Sequence, residues 1–105
     1  MGDEQRLKGN LDLLLLAVLR RGPAHGYAVI RRLAEQSNGV FDLPEGTVYP
    51  ALHRLEHEKL VRSTWDERGP RRRRIYAITG KGVRALDESR REWSEFASGM
   101  QLVLG

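Results

Sequence analysis

GTVYPALHRLEHEKL, residues Gly46 to Leu60, is the stretch that decides the fold. Read at 100° per residue, Val48, Ala51, Leu52 and Leu55 fall on one side of a helix. Gly46, Tyr49, Pro50, His53, Arg54 and His57 fall on or near the other. Such a helix buries one face and leaves the second free to lie in a DNA groove. Pro50 has no amide hydrogen, so it belongs in the first turn or so, where amides lack helical partners anyway. A well-formed helix is therefore expected over about Glu45–Glu58, with an irregular lead-in near Gly46 or Thr47. Two short strand-like segments follow, Leu60–Asp66 and Arg73–Ile78, with Glu67 to Arg72 as the turn between them. Arg68, Arg71, Arg72, Arg73 and Arg74 stand within seven residues at a Gly-Pro turn, with no acid among them. A helix delivered beside an arginine-tipped hairpin is what a winged helix-turn-helix DNA binder needs.

Working outward, LDLLLLAVL (Leu11–Leu19) is apolar around most of its circumference. It predicts a first helix starting near Leu7 or after Asn10, covered on more than one side and ended by Gly22-Pro23 after about Arg21. A second helix is expected over about His25–Gln36, with Tyr27, Ile30 and Leu33 as its inner stripe and Gly39 as a left-handed cap. Thr79 opens a last helix reaching toward Met100, along which Val83, Leu86, Trp93, Ala97, Met100 and Leu104 step by threes and fours. Arg90 is the polar intruder on that stripe. The fold class is mainly α with a small β-hairpin. Residues 1–78 form the winged helix-turn-helix and 79–105 a C-terminal dimerisation helix within the same compact unit.

Composition bounds the function. The chain has 105 residues, a formal charge of +4 and no cysteine, which excludes disulfides and thiolate metal sites. A chain this small is stabilised by a partner copy. The apolar run is too short to span a bilayer and is interrupted by Asp12. It is a poor signal peptide, and Arg6 spoils the myristoylation pattern begun by Met1-Gly2. A cytoplasmic protein with no membrane partner is expected. No nucleophile–base arrangement, metal cluster or phosphate-binding glycine loop is visible, so neither an enzyme nor a cofactor is expected.

Thr47, Tyr49, Pro50, His53 and Arg54 are the candidates for reading a major groove: a hydroxyl for base or phosphate, a ring for a thymine methyl, a guanidinium for guanine or phosphate. Against this, Tyr49 is equally a support residue, and Arg54 is placed to pair with Glu58 at i+4. Arg68, Arg71, Arg72 and Arg73 are expected to reach phosphates or a narrow minor groove, with Trp65 and Tyr76 anchoring their hairpin. Arg74, well within a strand, is the expected exception. Lys8 and Tyr27 add phosphate contacts from the first half of the motif. His53 and His57 have the spacing of a helical metal pair, but nothing completes a site. Trp93, Phe96 and Met100 form an apolar stripe that meets the first helix, at Leu15, across a dimer seam.

These residues resemble those of a known family. Lys8-Gly9-Asn10-Leu11 with Leu14-Leu15-Leu16, Gly22-Pro23, His25-Gly26-Tyr27, the run Glu45 to Glu56, Arg74-Ile75-Tyr76, and Thr79 with Gly82 are similar to PadR-family transcriptional regulators, over about residues 7 to 98. The resemblance implies a homodimeric winged-helix repressor on a near-palindromic double-stranded operator, released when an effector binds. It further implies the short subfamily, with a single helix after the wing. Some such proteins hold flat aromatic compounds between paired tryptophans at the dimer centre, and Trp93 matches that position. Effector binding and plain packing both remain open there. So does a protein that binds aromatic small molecules on this scaffold and has lost its DNA role. The sequence departs from the family at Lys59, where glycine is usual.

Overall fold

The computed structural model describes residues 9–105. Helix α1 spans Leu11–Arg20, α2 Gly26–Gln36, α3 Glu45–His57 and α4 Gly80–Leu104; strands are β1 Ala24–His25, β2 Val61–Asp66 and β3 Arg73–Ile78. The elements follow the expected order, with β1 added. Strand β3 is central in an antiparallel sheet of order β1-β3-β2. Val61 pairs with Ile78 and Asp66 with Arg73 in the hairpin, and Ala24 pairs with Tyr76. Two residues after a Gly-Pro turn carry no periodic signal, so the sequence predicts no strand there and places His25 at the start of the second helix.

The core forms where α1 is wrapped by α2, α3, α4 and the sheet. Leu15, Leu16, Val18 and Leu19 are all buried, as the all-round apolar character of this helix requires. Val48, Ala51, Leu52 and Leu55 supply the inner face of α3, as their spacing predicts. Each fully buried Leu or Val contributes about 1.5–3 kcal/mol. On α2 the inner face is Gly26, Val29 and Leu33, with Ile30 at its edge; Tyr27 is exposed, contrary to the expected stripe. The shift has a cause at Gly26, where an added Cβ would lie 2.5 Å from the Tyr49 ring. Helix α3 crosses there, and a side chain at position 26 would have to push the Tyr49 ring aside. Leu15 has no exposed surface and offers nothing to a dimer seam. That expectation is corrected, because Leu15 lies on the core side of α1 while Leu13, Leu14 and Ala17 lie on the open side.

The corner between α3 and β2 explains three sequence features together. Lys59 has φ 65°, in the left-handed region that favours glycine. The Leu60 amide donates back to the Leu55 carbonyl at 2.9 Å, closing the helix. The Thr79 hydroxyl donates to the Lys59 carbonyl at 2.7 Å and accepts from the Gly82 amide at 3.0 Å, so one residue ties this corner and caps α4. Gly82 is buried against it; a Cβ there would lie 2.1 Å from the Leu60 carbonyl oxygen.

Helix α4 runs to Leu104, beyond the expected Met100, and only Gly82 and Leu86 of its residues are buried. Trp93, Phe96, Met100, Leu102, Val103 and Leu104 stand exposed. No helix among the described residues is long and apolar enough to cross a membrane.

Replacing Lys59 by Gly should stabilise the protein by about 1 kcal/mol, since the left-handed cost falls on the β-carbon. A rise in the urea midpoint at constant m value is the expected outcome. No rise would show that the Lys59 conformation is not strained.

Candidate nucleic-acid interface

The outward side of α3 is a continuous stripe. Gly46, Pro50, His53, Arg54 and His57 are all exposed, at the i, i+4, i+7, i+8 and i+11 positions of one helix face. The helix is regular from Glu45, not irregular at its start, because the amides of Thr47 and Val48 both turn back to the Pro44 carbonyl at 3.0 and 3.2 Å. Thr47 and Tyr49 flank the stripe and are half-buried. Tyr49 fills the notch over Gly26 and lies 6.5 Å from the His53 ring, so it supports the crossing of the two helices while presenting one edge outward. Arg54 does not pair with Glu58; its guanidinium donates to the Asp12 carboxylate on α1.

The wing arginines divide into engaged and unengaged groups. Arg68 donates through its side chain to Asp66 at 2.9 Å and 3.3 Å, and its amide donates to the same carboxylate at 3.1 Å. Arg72 lies 3.1 Å from Glu67 and stacks 4.3 Å from the Trp65 ring centroid. Arg74 stacks on the same ring at 4.8 Å, donates to the Ser63 hydroxyl, and lies 3.8 Å from Glu56. Such cation–π contacts hold a guanidinium in place without neutralising it. Arg71 and Arg73 have no ion-pair partner among the described residues.

A cleft of about 340 Å³ joins these parts, lined by His25, Tyr27, Tyr49 and Arg71 to Arg74. It places the exposed Tyr27, the start of α3 and the wing around one basic concavity. Lys8 lies outside the described residues. Among those residues no group of three or more His, Cys, Asp or Glu is arranged to hold a metal ion.

Two links to the wing were not anticipated from sequence. His25 Nε2 lies 3.2 Å from Asp66 Oδ2, tying β1 to the end of β2 across β3. The Ser63 hydroxyl donates to Glu56, tying the wing to α3. Both join residues about forty and seven positions apart, and nothing in a local pattern signals the first. Burial holds the Tyr76 phenol above its ordinary range, with Glu56 adding to the effect.

On the other side of the molecule, Trp93 and Arg90 of α4 face Leu13, Leu14 and Ala17 of α1, with Asn10 just before that helix and Phe41, across a cleft of about 380 Å³. Phe96 and Met100 do not line it. They form a separate apolar groove with Gly99, Val103 and Leu104 farther along α4.

Hydrogen bonds from the Arg68 side chain and amide hold the Asp66 carboxyl well below the usual carboxylate range, and His25 adds to the same effect. A carboxyl lowered on folding contributes stability that is present above its unfolded value, near pH 4, and lost as pH falls through the folded one. Asp66 should therefore stay ionised while ordinary carboxylates protonate. Replacing Arg68 by Ala should raise its midpoint in a carboxyl-carbon NMR titration. An unmoved midpoint would remove Arg68 as the cause.

The family model described as the transcriptional regulator PadR-like family matches residues 15–88. The transcriptional regulator YqjI of Escherichia coli is 30% identical over 84 residues, covering 80% of this chain and 39% of YqjI, so the chain spans well under half of that relative. A PadR family transcriptional regulator from Eggerthella lenta is similar in structure, with a TM-score of 0.83, 34% identity, and coverage of 95% of this chain and 86% of that one. Bacillus subtilis PadR in complex with operator DNA has a TM-score of 0.69 at 22% identity, over 75% of this chain and 45% of its own. With the match running from the buried face of α1 through the wing into α4, the chain belongs to the PadR-like family of transcriptional regulators.

Proposed function

We propose that the chain acts in the cytoplasm as a homodimeric repressor that binds a near-palindromic DNA operator. The carrying observation is the basic cleft. It sets Tyr49, at the edge of the exposed stripe of α3, beside Arg71 and Arg73, so a duplex that receives the helix in its major groove would bring its backbone to the wing. Pro50 and His53 then face base edges, Thr47 and Tyr27 face phosphates, and the arginines add attraction that does not depend on sequence. The Bacillus subtilis PadR solved in complex with operator DNA supports DNA as the partner.

Dimerisation is supported by α4. A row of exposed apolar side chains from Trp93 to Leu104 is unusual for a monomer and marks an association face. In this reading residues 1–78 read DNA, and the helix beyond sets the separation of two reading heads at about 34 Å, one turn of the duplex. No step in it is catalytic.

A second element is an effector. The cleft at Trp93 has apolar walls from Leu13, Leu14, Ala17 and Phe41, which suits a flat aromatic compound stacked on the indole. To release DNA, such a compound must bind more tightly to the dimer geometry that no longer matches the operator. Planar aromatics titrated into a Trp65→Phe background, where Trp93 is the sole indole, should quench its emission. No response over a broad panel would remove the effector.

Salt tests the DNA role itself. With about four phosphates neutralised per protomer, log affinity should fall against log salt with a slope near −7. Replacing Arg71 and Arg73 together by Ala should weaken all duplexes alike and flatten that slope by roughly 3 to 4, two contacts per protomer. A flat wild-type response would favour the small-molecule protein that has lost DNA binding.

A further inference from the structure

Arg54 is the only arginine or lysine in α3, and it stands on the outward stripe. Its guanidinium is engaged: it donates to the Asp12 carboxylate, 42 positions away in the first turn of α1. The two side chains are 50% and 39% exposed, so water and salt screen the pair and it can open. A carboxylate offers a guanidinium the same paired oxygens as a phosphate, and guanine offers a similar pair of acceptors. Asp12 cannot follow Arg54 toward DNA, because Leu15, Leu16 and Leu19 root its helix in the core.

We infer that Asp12 is an internal competitor for Arg54, closed on it in the free protein and displaced by a DNA acceptor in the complex. The inference rests on the DNA-binding role proposed for α3. The competitor sets affinity below what the interface alone would give. It also stands on a helix with a second task. Asn10, Leu13, Leu14 and Ala17, centred about 150° around α1 from Asp12, wall the cleft at Trp93.

A double-mutant cycle tests it. Affinities of wild type, Asp12→Asn, Arg54→Ala and the double variant are measured on a random duplex pool and on the duplex that selection enriches from it, with circular dichroism reporting the fold. Asp12→Asn should bind about two- to thirty-fold more tightly, the range of two exposed ion pairs, one per protomer of the dimer. The gain should vanish when Arg54 is already Ala. A gain equal on both DNAs assigns the acceptor as phosphate; a gain confined to the enriched duplex assigns it as a base. If Asn at position 12 unfolds the protein, Asp12→Ser, suited to a first helical turn, takes its place. No gain in a folded variant overturns the competitor. So does the same gain without Arg54, which reports only the loss of a negative charge near DNA. Wild type that binds neither DNA overturns the DNA role, and the competitor with it.

Discussion

The corner built by Lys59, Leu60, Thr79 and Gly82 fixes the relation of every functional part to every other. Helix α3 ends there, β2 starts there, β3 delivers Thr79 to it and α4 departs from it. The Thr79 amide donates to the Leu60 carbonyl at 3.1 Å and the Lys81 amine donates to the Glu58 carbonyl at 3.0 Å, beside the hydroxyl bonds already described. The carbonyls of Glu58, Lys59 and Leu60, in the turn after α3, are thus taken by Thr79 and Lys81 at the start of α4. A close approach permitted only by Gly82 makes the joint stiff. Since α4 carries the proposed dimer face and α3 the proposed reading face, this joint controls whether two copies can match the pitch of DNA.

Much of this was legible from residues alone. The period of the apolar positions in α3, the Gly-Pro turn of the wing and the Thr79 cap are local signals, and each appears where expected. The errors share a cause. The spacing of Tyr27 fits Ile30 and Leu33 and predicts an inward position, but Gly26 carries the crossing with α3, and a glycine contributes nothing to a hydrophobic pattern. For Leu15 the difficulty is that α1 is apolar all round, and periodicity does not say which side of such a helix faces the core. Arg54 was offered a partner four residues away, and it found one on another helix. Tertiary contacts between charges leave no trace in the spacing of either residue.

The wing illustrates how little a count of charges says about a site. Five arginines stand in the run, yet Arg68 is committed to Asp66, and Arg72 and Arg74 clasp Trp65 while meeting Glu67 and Glu56. These three shape the hairpin. With Trp65 half exposed and its two guanidinium neighbours held on it, the indole becomes the spine that stiffens the tip beyond the core. Arg71 and Arg73 then project from a hairpin held by these contacts, which would lower the loop ordering needed if they meet phosphate. A flexible loop of equal charge would attract DNA as well at long range and hold it less well at contact.

The ion pair of Arg54 gives the two ends of the molecule a shared element. Helix α1 presents Asp12 to the reading helix and the residues around Leu14 to the cleft of Trp93. Its core side is tightly filled, so α1 moves as a rigid rod if it moves at all. In the proposed effector reading, a displacement of α1 at the Trp93 cleft would also change the reach of Asp12 toward Arg54. A pair near a protein surface is weak, of order 1 kcal/mol or less, and for that reason is easily biased by small displacements. In a dimer the bias acts twice, since both reading heads must engage together. In the proposed dimer, a modest change at each pair would alter operator affinity several-fold.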